Sequence, residues 1–392
     1  MLQPNSEHRF RRSLAQFILK ATLYGSWVLG LFPFFFDSRR RCLQRSKWLL
    51  AYGVILNLTL IALSLLPATD DHNAIKVEVF HQNPLVSQLE ILLDFISCVA
   101  LVGCHLRNAC KSKELSKILN EFLMLEHRHF SELILKDCPQ FDRYVIFKGL
   151  TVFLEIASSL VIYFGMPDSN GSVLEAVCIY VSQLAALVLV MHFHLAVIYI
   201  YRLVWIINGQ LLDMATRLRR GDRVDPERVN LLLFLYSRVL DLNSRLAKVY
   251  DLQITIFMLI MMSANILLGH VMVIFWINVN NFFLPVLIWL FIQALIINLL
   301  DLWLSIASCD LPESASRKTS LILKLFNDIE NIDQEMERRI SEFTLFCSHR
   351  RLKINQLGMF DINYEIGCCI FITNISYVLC LVQFDYYNLK FK

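Results

Sequence analysis

The fold is decided by the stretch VLEAVCIYVSQLAALVLVMHFHLAVIYIYRLVWIIN, residues 173–208. A helix needs ~20 mostly apolar residues to cross the ~30 Å hydrocarbon core of a membrane. This stretch is apolar enough to cross and too long to end at the membrane surface, so we predict that the helix continues into the cytoplasm. The whole chain has a similar character, because 56% of its 392 residues are hydrophobic and only 18% are charged. That composition favours an all-α membrane protein.

Six further segments meet the same requirement of length and composition. They are residues 48–66, 86–106, 144–165, 252–277, 282–305 and 367–384. We therefore predict seven transmembrane helices. The additional apolar segment 14–36 contains Lys20 and lies between two basic clusters, so we predict a re-entrant or interfacial helix within a cytoplasmic N-terminal region, residues 1–47. A cleaved signal peptide is the weaker alternative, because no convincing small-residue cleavage site precedes the basic cluster.

Lysine and arginine fix the predicted orientation. Nearly all of the 37 Lys and Arg residues lie in the N-terminal region and in the loops 107–143, 209–251 and 307–360, which share one side of the membrane. Basic loops stay in the cytoplasm, so we predict a cytoplasmic N-terminus and an extracellular C-terminus. The sequon at Asn170 then lies outside and is a predicted glycosylation site. A G-protein-coupled receptor is disfavoured, since that class keeps its N-terminus outside.

The predicted cytoplasmic segments are amphipathic, because apolar residues recur in them at three- and four-residue steps. These residues are Leu115, Ile118, Leu119, Phe122 and Leu125; Leu232, Tyr236, Val239, Leu242, Leu246 and Val249; and Ile329, Ile332, Met336, Ile340, Phe343 and Cys347. Such faces must bury against something, so we predict a helical bundle beneath the membrane, with residues 307–366 as its anchor. The alternative is that these helices lie flat on the bilayer, which the acidic residues around 328–337 disfavour. The polar run 310–320, which includes Pro312, is predicted to be a flexible link.

Enzyme chemistry is not indicated. The sequence contains no P-loop, GxSxG or HExxH motif, so we expect no catalytic residues, no cofactor and no metal site. His192 and His194 are two residues apart on a helix and point to different faces, so a packing or hydrogen-bonding role is favoured over joint binding of a metal. The net charge of only +3 suggests no nucleic-acid partner.

The predicted outer loops are short, so a ligand must bind among the six helices within residues 48–306. An acidic residue at mid-membrane costs ~2.5–3.5 kcal/mol on insertion scales and normally faces a cavity or a partner. Aromatic and polar residues of the outer halves complete a pocket for amphipathic or cationic small molecules. The candidate ligand-binding residues are Glu90, Asp94, Glu155, His270, Trp276, Trp289 and Gln293. The alternative is that Glu90 and Asp94 only touch lipid headgroups. For Arg202 and Asp301, in the inner halves of their spans, structural ion pairs are predicted.

The end of the last span, SYVLCLVQF at 376–384, resembles the signature of the insect gustatory receptors: Thr-Tyr, five hydrophobic residues and Gln-Phe. Ser376 replaces the threonine and keeps the hydroxyl. The segment GMFDIN at 358–363 resembles the element that precedes the last span in that family. The segments FPFFFDSRR at 32–40 and MHFH at 191–194 resemble a clustered subgroup associated with bitter taste.

This resemblance implies a ligand-gated, non-selective cation channel, a homo- or heterotetramer with other gustatory receptor subunits. Residues 367–392 would form the pore-lining helix and a short extracellular tail. Phe384 would be the hydrophobic gate and Gln383 would face the hydrated ion, while Ser376, Tyr377 and Cys380 would hold the pore helix in place. The implied partners are small-molecule tastants, cations and membrane lipid, and the implied place is the plasma membrane of taste-neuron dendrites. A secondary transporter that uses the intramembrane acids is the alternative, although no repeat between halves is visible.

Overall fold

The computed structural model describes residues 4–39, 41–65, 84–130, 138–165, 173–277, 284–329 and 332–390. The described chain is mostly helical, with two short antiparallel hairpins. The helices are α1 (Pro4–Val28), α2 (Lys47–Leu65), α3 (Pro84–Leu125), α4 (Pro139–Gly165), α5 (Val173–Arg219), α6 (Pro226–Ile277), α7 (Leu284–Lys324), α8 (Gln334–His349) and α9 (Tyr364–Lys390). The strands are β1 (Phe34–Asp37), β2 (Cys42–Arg45), β3 (Asn355–Gln356) and β4 (Phe360–Asp361). A π-helical turn, Glu126–Phe130, extends α3, and a 3₁₀ turn, Leu325–Asp328, extends α7.

Six helices of the described chain are long and apolar enough to cross a membrane, namely α3, α4, α5, α6, α7 and α9. The remaining predicted span, residues 48–66, corresponds to α2. The part of α2 with described side chains, Lys47–Leu63, is a shorter apolar helix. The protein is therefore a multi-pass membrane protein with the predicted set of apolar helices.

The prediction that the stretch 173–208 continues beyond the membrane is confirmed. Helix α5 has 47 residues and α6 has 52, which at 1.5 Å per residue is about 70 Å or more, over twice the hydrocarbon thickness. The turn between them contains Gly221 with φ +82°, and α6 begins at Pro226, a residue suited to the first helical turn.

The extensions pack as the amphipathic pattern predicts. We call "anchor bundle" the parts of α3, α5, α6 and α7 beyond their apolar spans, together with α8. Tyr236 of α6 is fully buried there, 5.5 Å from the ring of Phe343 in α8. The other residues of the α8 stripe between Met336 and Cys347 are buried as well. Burial of these faces explains why polar segments outside the membrane stay helical.

The prediction of a flexible link at 310–320 is wrong, because α7 runs without a break to Lys324 and contains Pro312. The polar side chains of this run make hydrogen bonds between helices. Asn208 Nδ2 of α5 donates to the carbonyl oxygen of Ala315 at 2.9 Å, and Thr319 Oγ1 donates to Asn208 Oδ1 at 2.7 Å. These bonds stabilise a helix that a proline alone would weaken.

The N-terminal helix also differs from the prediction of a helix over 14–36. It begins earlier, at Pro4, and ends at Val28, and the apolar residues Phe34–Phe36 form strand β1 instead. The chain turns at Gly30, where φ is +67°. A Cβ on Gly30 would lie 2.3 Å from the Cα of Gly53 in α2, so the close approach of the two backbones requires glycine at both positions.

Candidate functional site

The structure places the predicted ligand-binding residues on α3, α4, α6 and α7, but it does not bring all of them together. The side chains of Glu90, Asp94 and Trp276 lie outside the described part, and so does Asn170. Trp289 of α7 is 70% exposed on the protomer surface. The described candidates with buried or partly buried side chains are Glu155, His270 and Gln293.

Gln293 and Glu155 belong to one polar seam between α4, α5 and α7. Gln293 Nε2 donates to Ser158 Oγ at 2.8 Å, one turn from the buried Glu155 on α4. On the α5 side, Gln183 Nε2 donates to Ser159 Oγ at 3.0 Å. The seam therefore offers carboxylate, amide and hydroxyl groups to a ligand in an otherwise apolar environment.

An ion pair lies deeper on the same helix α4. Lys148 Nζ donates to the two carboxylate oxygens of Asp301 at 2.7 and 2.8 Å, and to Ser305 Oγ at 3.1 Å. Thr151 Oγ1 also donates to Asp301, and both charged side chains are essentially fully buried, at 1% and 0% exposure. The predicted ion pair of Asp301 is thus confirmed, with Lys148 as its partner. Arg202 places its guanidinium 4.7 Å from the ring centre of Phe141.

His270 is fully buried on α6 next to Gly269, where α6 meets α9. A Cβ on Gly269 would lie 3.0 Å from Val378 of α9. Nearer the start of α6, Asn243 donates to the carbonyl oxygen of Lys353, 11 residues before α9 begins, at 2.9 Å.

The contact between α6 and α9, which we call the α6–α9 seam, contains two residues that the sequence analysis did not single out. Asn265 and Asn374 each lie one turn before the Gly269–Val378 contact, and they are 2% and 6% exposed. Among the described residues their side-chain amides have no hydrogen-bond partner. The only signal in the sequence was an amide in the middle of an apolar span, where a buried polar group is costly without a partner.

The residues of the signature motif lie on the outer surface of the protomer. Tyr377 is 57% exposed and Phe384 is 54% exposed, and Ser376, Cys380 and Gln383 are exposed too. Helix α9 is the least covered of the six spans, since only 17% of its apolar stretch is buried, against 67% for α5.

A cavity of about 490 Å³ lies elsewhere, between α1, the β1–β2 hairpin, α3, α5 and α6. Its walls are mainly leucine and aromatic side chains, with a few polar groups. The lining residues are Leu19, Thr22, Leu23, Trp27, Phe32, Phe36, Leu43, Leu115, Leu119, Phe122, Leu123, Glu126, His192, Leu195, Ala196, Tyr199, Leu246 and Tyr250. Periodicity in the sequence does not predict this cavity, because its walls come from segments that are far apart in the chain.

The family model described as 7tm chemosensory receptor matches residues 19–388, and this match identifies the chain as a chemosensory receptor. The chain is 64% identical over its whole length, and over the whole of that relative, to gustatory receptor 22a of Drosophila melanogaster. It is 44% identical to the gustatory receptor for bitter taste 22e of the same species, over 97% of this chain and 98% of that one.

The chain therefore belongs to the insect gustatory receptors. A solved structure with a similar fold is the insect olfactory receptor OR5 of Machilis hrabei in complex with eugenol, with a TM-score of 0.63 and 12% sequence identity. That likeness covers 95% of this chain and 99% of the other.

Proposed function

We propose that this protein is a taste receptor that is itself a ligand-gated cation channel and detects bitter small molecules. The observation that carries the proposal is the exposure of the signature motif on α9. A spanning helix that exposes Gln383 beside Phe384 would place an amide against lipid, which is unfavourable. The arrangement is favourable if four copies of α9 surround an aqueous pore, as the family resemblance implies.

Phe384 would then close the pore by excluding water. A ring of aromatic side chains dewets a narrow pore and stops ions without a physical plug. Gln383, one residue away, would present its amide to the hydrated cation once the ring has widened. This proposed gate lies near the extracellular end of α9.

The contact between α6 and α9 supplies a route from ligand to gate. His270, a candidate ligand-binding residue, is the neighbour of Gly269, which packs on Val378 of the pore helix. An agonist that binds better when α6 is displaced would therefore favour displaced α9 helices. The change is a shift of population between closed and open states, limited by the difference in the agonist's affinity for the two.

The bitter assignment is supported by the relative whose name states bitter taste. Detection of small organic molecules is supported by the olfactory receptor OR5, which has a similar fold and was solved in complex with eugenol. The pocket of this chain would use Glu155, His270, Gln293 and the outer residues Glu90, Asp94, Trp276 and Trp289.

Whole-cell recording tests the proposal, with this chain expressed alone and exposed to bitter compounds and sugars. The unchanged protein is expected to give a non-selective cation current with bitter compounds, and Phe384→Ala to raise the resting leak. Phe371→Ala is the matched control, because Phe371 is a similarly exposed phenylalanine of the same helix that lies outside the motif, 13 residues before Phe384. A leak that rises equally in both variants, or flux that depends on an ion gradient without channel openings, would contradict the proposal.

A further inference from the structure

The cavity of about 490 Å³ under α1 is separate from the proposed tastant pocket. Its volume falls within the roughly 300–1,000 Å³ of pockets that hold small organic molecules. Leu119 and Phe122 of α3 contribute to its walls from beyond the first basic residues of that helix, and Leu246 of α6 does so just before the apolar span. With the Lys/Arg-rich side in the cytoplasm, this level is the inner membrane interface.

The mouth of the cavity lies beside an exposed apolar surface of the protein. Leu23 of α1 and Phe36 of β1 line the cavity and are 39% and 50% exposed. The outer surface of α1 exposes Phe17 and Tyr24 by 68% and 61%. A helix that presents aromatic residues in this way lies among lipid chains at the membrane interface, so the open side of the cavity would meet the inner leaflet.

The hairpin that bears Phe36 also bears positive charge. Arg39, Arg41 and Arg45 are all exposed on the β1–β2 hairpin. The hairpin is held on α3 by Asn120, whose Oδ1 accepts from the backbone N–H of Leu43 at 2.6 Å and whose Nδ2 donates to the carbonyl oxygen of Leu43 at 2.9 Å. Arg41 also contacts the imidazole of His127. Arginines at the inner membrane interface attract anionic lipid headgroups.

We propose that an anionic phospholipid of the cytoplasmic leaflet binds here. One acyl chain would enter the cavity between Leu23 and Phe36, and the phosphate would be held by the arginines of the hairpin. Glu126, the acidic residue in the cavity wall, would accept from an ammonium group, so phosphatidylserine is favoured over phosphatidylglycerol. The lipid would join α1 and the hairpin to α3, α5 and α6. This inference rests on the proposed orientation in the membrane and not on channel activity.

The test is photolabelling of the purified full-length protein in phosphatidylcholine nanodiscs, using a phosphatidylserine probe with a photoreactive acyl chain. We expect the label on residues of the cavity wall. Excess phosphatidylserine should compete at least fivefold more effectively than phosphatidylglycerol, and phosphatidylcholine should not compete.

Two variants test the site separately, one by filling the cavity and one by removing positive charge from the hairpin. Ala196→Phe fills the cavity and should reduce labelling at least fivefold, whereas Ala186→Phe on the same helix, outside the cavity lining, should not. Arg39→Gln combined with Arg45→Gln should reduce labelling without altering the core, whereas Arg338→Gln on α8 should leave it unchanged. The charge variant keeps the test decisive if the cavity-filling variant fails to fold.

Several outcomes would overturn the proposal. Labels outside the cavity, or equal labelling of Ala196→Phe and its control, would show that no chain enters. Equal competition by phosphatidylcholine would show that the arginines do not select an anionic headgroup, and competition by bitter compounds in place of phosphatidylserine would make the cavity a tastant site. Because labelling needs no current, its failure is distinguishable from failure of the channel proposal.

Discussion

The buried pair Lys148–Asp301 gives the sharpest stability prediction. Replacing Lys148 by Met leaves the carboxylate of Asp301 at 0% exposure with the hydroxyl of Thr151 as its one remaining side-chain donor among the described residues. Breaking a buried pair on one side costs about 3–5 kcal/mol, because the remaining charge stays out of water. In a chain of 392 residues we expect a fall in the midpoint of thermal unfolding of roughly 4–6 °C.

The double variant Lys148→Met with Asp301→Leu should recover most of that loss, since apolar replacement of a whole buried pair is often neutral or stabilising. The assay is the fraction of monodisperse protein after heating in detergent, read by fluorescence size-exclusion chromatography. Lys113→Met, at an exposed position of α3, is the matched control and should change the midpoint little. A single variant as stable as the unchanged protein, or a double variant no better than the single, would refute the reasoning.

Three further predictions concern the close packing of Gly53, the α6–α9 seam and the dependence of thermal stability on pH. Gly53→Ala should reduce the surface yield at least several-fold, since its Cβ would lie 1.9 Å from the carbonyl oxygen of Gly30; normal yield would contradict that contact. Asn374→Leu should change the agonist concentration for half-maximal current more when Asn265 is present than in an Asn265→Leu background, and equal effects would show no coupling. Partial burial alone would raise the pKa of Asp361, but hydrogen bonds from Lys353 and Asn355 outweigh it and lower the pKa. Stability from this carboxylate is therefore present above the ordinary Asp pKa of ~3.9 and lost as pH falls through the lower folded value, so Asp361→Asn should flatten the acid limb of a thermal-stability profile.

Apolar length and three- to four-residue periodicity were sufficient to predict the helices and the anchor bundle, because burial of an apolar face is a local property of each segment. The same rules failed at 310–320, where Ser316 and Thr319 looked like solvent-exposed residues. Their hydroxyls are instead buried in bonds to Tyr236 and Asn208, residues far away in the sequence. A polar residue that pairs across helices has the same local pattern as one that meets water.

The functional site was likewise only partly predictable from the sequence. The charged residues of the spans pointed to Asp301, and the structure supplied Lys148 as its partner. The cavity under α1 could not be predicted, since its walls come from α1, the β1–β2 hairpin, α3, α5 and α6, which are distant from one another in the sequence. The signature motif was visible in the sequence, but its exposure on the protomer became evident only once the packing of α9 was known.

We propose above that this chain is itself a ligand-gated channel, and we expect it to form a pore lined by α9 without any other subunit. The most direct measurement is single-channel recording from the purified protein in planar bilayers, without any other subunit, before and after addition of bitter compounds. We expect discrete cation-conducting openings whose frequency rises with ligand, and persistent openings without ligand for Phe384→Ala. Folded protein that binds bitter compounds but never opens in either form would contradict it.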